Sequence, residues 1–339
     1  MLEGSSATTE FNTVARVEAA SPQPKLAGEG FPDFTAEVPA GGYRWWYLDA
    51  FSDDGQAGLT LIASIGSVFS PYYAAARRRG AAPAEAFSSL NVVFYGPDRK
   101  RWAMTERSAR GLRRDNTCLQ IGPSSLTREG LQLVAHIDEV TVPLPRRLRG
   151  RIRISLPGVS GRCYALDDDG LHRWWPVAPQ ARVEVELDRP GLSWSGSGYL
   201  DCNAGRVPLE STFSGWHWCR AVHADGGSTV FYDTDARMGA DKHLALRFDP
   251  KGQVASAAQP LLFSLPDTRI WRIERLSRSQ PGPIKVLNTF EDTPFYARSK
   301  VGLTLEDEPV IAMHESLNLQ RFKRRWVQGL LPFRMPRRA

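Results

Sequence analysis

From residue 41 onward the chain is a succession of short apolar runs with polar residues at alternate positions, each closed by Gly, Pro, Asp or Asn. A period of two marks half-buried strands, and evenly spaced turn signals favour antiparallel neighbours. The aromatic run at 41–51 passes through the turn Ser52-Asp53-Asp54-Gly55 into the aliphatic run 58–65, which predicts a hairpin. Residues 67–80 break the pattern: Tyr72, Tyr73 and an Ala run lead to Arg77, Arg78, Arg79 and a closing Gly80, which predicts one short helix. Runs at 89–95, 101–105, 118–121, 131–140 and 148–156 then fit a meander.

A strictly alternating strand is expected at 181–187, and residues 194–205 follow it across a Pro-Gly turn. The glycines of 194–205 disfavour a helix, and on a strand Tyr199 and Asp201, two apart, point the same way. An acid and a phenol then share one pocket. Local pattern leaves a second reading open, in which Asp201 caps a turn beside Gly and Asn. The pair Trp174-Trp175 lies upstream, and pairing of neighbouring strands would bring Trp174 to Tyr199 and Asp201, although the pattern does not fix that pairing.

After Gly205 the order of tryptophan strand, Asp-Gly turn and β-branched strand recurs at 213–233, and further strands are expected at 244–248, 270–273 and 284–290. The organisation expected is a flexible tail at 1–38, one β-unit at 39–207 carrying the candidate site, a second at 208–320, and a basic aromatic tail at 321–339.

Composition sharpens this all-β picture. A length of 339 residues exceeds one ordinary core, and 42% hydrophobic with 24% charged residues is a globular balance. Ten Trp, 24 Pro and 29 Gly favour strands and turns over long helices. The net charge of +6 comes with no helix-turn-helix, zinc-finger or RNP pattern, so nucleic acid is not an expected partner. An anionic membrane surface fits the basic clusters and the mixture of Arg, Lys, Trp, Phe and Leu near the C-terminus, beside the plainer reading of a solvated tail. Cys118, Cys163, Cys202 and Cys219 form no CxxC, as in a reduced, cytoplasmic protein. No signal peptide and no apolar run of spanning length is read, so the expectation is peripheral contact with a membrane.

No P-loop, GxGxxG, GxSxG, HExxH or CxxCH is present, and His136 with Asp138 and Glu139 supplies only one imidazole on a strand of alternating directions. Neither metal nor cofactor is therefore expected. An enzyme built this way uses carboxylates and aromatic rings; the alternative is a non-catalytic β-barrel that carries an apolar ligand.

Residues 43–49, 65–73, 101–107, 198–201 and 291–299, together with 314–317 and 331–337, resemble in order the acyclic carotenoid 1,2-hydratases, or hydroxyneurosporene synthases, of phototrophic bacteria. The resemblance implies tandem lipocalin-like (calycin-like) antiparallel β-barrels with few short helices. It also implies cofactor-independent addition of water to the terminal 1,2 double bond of lycopene or neurosporene, at the inner photosynthetic membrane. By the same resemblance the catalytic aspartate, tyrosine and tryptophan fall on Asp201, Tyr199 and Trp174. Trp194, Trp45, Trp46, Tyr72 and Tyr73 are further candidates for contact with such a substrate. Hydration of an unactivated alkene begins with a proton placed on carbon, which calls for a carboxylic acid kept neutral by an apolar pocket.

Overall fold

Alternation along the first strand, β1 (Tyr43–Ser52), sorts its side chains onto two faces. Trp46, Leu48 and Ala50 enter one apolar core, and Tyr43, Trp45, Tyr47 and Phe51 enter another. Every residue of β1 is buried, because the strand lies between two cores and has no face in water. The computed structural model describes residues 31, 33–80, 82–96, 100–157 and 159–338.

In chain order the strands of the first half are β1, β2 (Gly58–Ile65), β3 (Ser88–Tyr95), β4 (Arg101–Arg107), β5 (Leu112–Arg114), β6 (Cys118–Ile121), β7 (Ser124–Glu129), β8 (Gln132–Val140), β9 (Arg147–Ser155), β10 (Tyr164–Ala165), β11 (His172–Arg189) and β12 (Leu192–Gly205). The second half contributes β13 (Phe213–Val222), β14 (Ser228–Ala236), β15 (Lys242–Phe248), β16 (Val254–Ser256), β17 (Leu261–Leu265), β18 (Arg275–Ser279), β19 (Lys285–Asp292), β20 (Tyr296–Leu305), β21 (Glu308–Asn318) and β22 (Arg337–Arg338). One sheet runs β22-β4-β3-β2-β1-β12-β11-β9-β8-β7-β6-β5 with β10 on β11, a second runs β16-β15-β14-β13-β21-β20-β19, and β17 pairs with β18. The all-β expectation with few short helices is met. The large sheet curls into a half-barrel around the first core, in which Trp46 and Leu200 meet Leu126, Leu133 and Ile152.

The second core lies between the two sheets. Tyr43, Trp45, Tyr47, Trp174 and Tyr199 of the first sheet pack there against Trp216, Trp218, Tyr232 and Met313 of the second. Both sheets therefore wall the region around the candidate residues Trp174, Tyr199 and Asp201.

The predicted helix is α1 (Pro71–Arg79): the Ser70 hydroxyl accepts from the Tyr73 amide at its start, and the three arginines occupy its last turn. The predicted strand at 270–273 is instead a turn, because the Asp292 carboxylate accepts from the Ile270 and Trp271 amides and Arg272 takes a positive φ of 51°. Of the segment expected as an N-terminal tail, residues 1–30 lie outside the described residues, while Phe31 and Phe34 are buried and Phe34 packs 5.0 Å from the ring of Trp46. The segment 321–339 is no free tail over its described residues. Phe322, Val327 and Met335 are buried, and β22 pairs in parallel with β4, where Arg337 binds Glu106.

Candidate active site

Strand β12 builds the centre of the inter-sheet core. Tyr199, Asp201 and Asn203 follow one another on one face, opposite Asp49, Tyr47 and Trp45 of β1. The glycines around them serve close strand packing: a Cβ at Gly196 would strike the Phe51 carbonyl, and one at Gly198 would strike Val183. Asp201 is thus a strand residue and caps no turn. On the other side β11 brings Trp174 opposite Asn203, and just beyond it register shifts at Pro176, Ala178 and Ala181 interrupt the ladder.

Asp201 is 3% exposed. Its Oδ2 accepts two hydrogen bonds, from Trp174 Nε1 at 2.9 Å and from the Tyr199 hydroxyl at 2.9 Å. Among the described residues its Oδ1 has only the Asn203 amide Nδ2, at 3.4 Å. Burial pushes the Asp201 carboxyl up to about 8, against the pull of the two donors, and the nearby Glu315 and Asp49 carboxylates push the same way. At neutral pH the group is therefore mostly a carboxylic acid. With two donors on Oδ2, the proton belongs on Oδ1. Burial also raises the Tyr199 phenol well above its ordinary value, so it remains a hydrogen-bond donor.

The walls are aromatic and come from both sheets. Trp218 lies 5.3 Å from Tyr199 and 5.4 Å from Tyr47, and Tyr232 lies 5.3 Å from Trp174, centroid to centroid. Charges near Asp201 are neutralised in place. Asp49 accepts from Arg220 Nε at 3.0 Å in a fully buried ion pair. Glu315 accepts from the Tyr47 hydroxyl at 2.7 Å and from Arg298 Nε at 2.8 Å. Two residues before Trp174, His172 is buried between the Tyr43 hydroxyl and Thr212 Oγ1, each at 2.9 Å from a ring nitrogen, and burial lowers it to about 4, so it is neutral at pH 7. Among the described residues no group of three His, Cys, Asp or Glu side chains is placed to hold a metal ion. The arrangement can deliver a proton to an apolar molecule and surround the resulting cation with π faces.

The structure joins Trp174, Tyr199 and Asp201 directly. Of the other candidates, Trp45 shares their core, stacked on Tyr43 at 4.7 Å. Trp46 points to the opposite core, and Trp194 packs against that same core. Tyr73 is buried there too, its hydroxyl donating to the Gly42 carbonyl, and Tyr72 lies under Arg337. Sequence reasoning passed over Tyr47, Asn203, Glu315, Arg298 and the Asp49–Arg220 pair. Alternation along β1 and β12 carries a signal for Tyr47, Asp49 and Asn203; the residues from the second sheet carry none without the tertiary pairing.

The family model described as carotenoid hydratase CrtC matches residues 61–339. The acyclic carotenoid 1,2-hydratase of Thiocapsa roseopersicina is 50% identical over 307 residues, covering 90% of this chain and 76% of its own length. That of Rubrivivax gelatinosus is 47% identical over 313 residues, covering 91% and 77%. Among solved structures, a protein of Nitrosomonas europaea has a TM-score of 0.56 at 14% identity over 87% of this chain and 99% of its own. CghA with Sch210972 has a TM-score of 0.55 at 13% identity, over 87% and 96%. These two share the fold alone. On the match over most of its length, the chain belongs to the carotenoid hydratase CrtC family.

Proposed function

We propose that this chain adds water across the terminal 1,2 double bond of an acyclic carotenoid, lycopene or neurosporene, and that Asp201 is its general acid. One observation carries the role of Asp201: a buried carboxyl raised to about 8 by desolvation, with Trp174 and Tyr199 both donating to Oδ2. The alkene π pair takes the proton from Oδ1 at the less substituted carbon and leaves a tertiary cation on the other. The indole of Trp174 and the neighbouring phenols face that cation, an interaction worth about 2 kcal/mol when desolvated. The carboxylate left on Asp201 then accepts a proton from the attacking water, which restores the acid. No electron is gained or lost, so the step calls for no redox cofactor, and Asp201 serves in turn as acid and base.

The test is an anaerobic incubation of the purified, dialysed chain with lycopene in 18O-labelled water. A hydratase gives a tertiary alcohol carrying the label; a carrier returns the polyene unchanged and would overturn the reading.

A polyene substrate resides in lipid, and contact with the inner membrane from its cytoplasmic side goes with this reading. Its support is a patch around α2 (Arg325–Leu330), where Trp326, Leu330 and Phe333 are exposed at 47%, 42% and 76% beside Lys323, Arg324 and Arg325. Exposed rings among cations suit an anionic headgroup layer.

A further inference from the structure

Asn203 follows Asp201 on the site face of β12 and lies between Trp45 of β1 and Trp174 of β11 in the strand register. It is 3% exposed, and its amide nitrogen is turned toward Asp201 Oδ1 at 3.4 Å. Its carbonyl oxygen is buried and, among the described residues, has no hydrogen-bond partner. A buried acceptor left unpaired carries a desolvation cost that an apolar side chain of the same size does not. Beside the acid, such an atom is a ready acceptor for a molecule that donates a hydrogen bond.

We infer that Asn203 holds the water molecule that attacks the tertiary cation, an inference that rests on the assignment of Asp201 as the acid. Water has two O–H bonds to place and one lone pair to aim. One O–H goes to the Asn203 carbonyl oxygen and the other to Asp201 Oδ1, which the same amide group already approaches. The lone pair is left facing the cation. The C–O bond forms from that lone pair, the proton of the resulting oxonium goes to Asp201 Oδ1, and the acid is regenerated with one water consumed. A neutral amide suits the position, because a second carboxylate there would repel the charge left on Asp201 by the first step.

The cation has two fates, capture by water or loss of a proton back to alkene. Only capture depends on Asn203. In deuterium oxide the second fate leaves deuterium in recovered polyene, so the full-length chain is assayed for hydration and for exchange together. In Asn203→Leu, hydration should fall about a hundredfold while exchange into recovered lycopene stays within about tenfold of the wild-type rate of cation formation. Asn203→Ser, whose hydroxyl can accept from water, should recover part of the hydration. Asp201→Asn should lose both hydration and exchange; exchange retained in that variant would overturn the role of Asp201 itself. If Asp201→Asn behaves as stated, the assignment of Asn203 alone is overturned by hydration within about threefold of wild type in Asn203→Leu, or by hydration and exchange falling together. Loss of the native near-ultraviolet circular dichroism in both Asn203 variants would assign the residue to the scaffold and overturn it equally.

Discussion

Trp174 Nε1 lies 2.9 Å from Asp201 Oδ2, a hydrogen bond that joins β11 to β12 on the face turned toward the second sheet. It holds the carboxyl group in one orientation and also lowers its pKa, in opposition to burial. The indole thus orients the acid and tunes it.

Replacing Trp174 by Phe keeps a ring and removes that donor. Proton transfer needs Asp201 protonated, so the wild-type rate should be level at low pH and fall as pH rises through about 8. In Trp174→Phe the falling limb should move to higher pH, because the loss of a bond that favours the carboxylate raises the group further, and the plateau rate should drop by about 10- to 100-fold. A pH–rate profile measures both; a limb that stays in place or moves to lower pH contradicts the role given to Trp174.

Asp201 also makes stability depend on pH in a direction opposite to that of an ordinary carboxylate. Its folded value of about 8 exceeds the 3.8 of an exposed aspartate, so between those limits the native state holds a proton that the unfolded state has lost. Stability conferred by that proton is present below about 4, declines as pH rises through the window, and levels off above about 8. The Tm of Asp201→Asn minus that of wild type should therefore grow from pH 5 to pH 8. A difference in Tm that is constant over that range would sink this account of the carboxyl group.

Arg220 and Asp49 join the second sheet to the first, each side chain fully buried. Arg220→Ala leaves an unpaired buried carboxylate and should cost about 3–5 kcal/mol in urea unfolding. A loss below about 1 kcal/mol, the range of an exposed pair, would mean that the ion pair is not buried in solution.

The C-terminal segment calls for point substitutions, since its removal would also strip the buried Phe322, Val327 and Met335. Trp326→Ser with Phe333→Ser should reduce cosedimentation with anionic vesicles several-fold while Tm stays within a few degrees, as expected for exposed positions. Unchanged binding would remove this patch as the membrane contact.

Alternation was enough to place Tyr199 beside Asp201. It also separates Trp45 from Trp46, since neighbours on a strand face opposite ways, and only Trp45 reaches the site core. Trp174 required the pairing of β11 with β12, which prolines and bulges hide from a periodic reading. Arg220, Trp218 and Glu315 reach the site from a second sheet more than a hundred residues away from β1 in sequence. An apolar face read from sequence states that it must be covered and leaves open what covers it. For that reason the shared inter-sheet core was not legible, nor was the docking of residues 321–338 through Phe322, Val327 and Met335.

The claim that Asp201 is the proton donor is tested most directly by incubating wild type and Asp201→Asn side by side with lycopene in 18O-labelled water at pH 7. Wild type should yield the labelled tertiary alcohol, and the folded variant should yield none above a protein-free control, a loss of at least about a thousandfold. Substantial labelled product from Asp201→Asn would contradict the account.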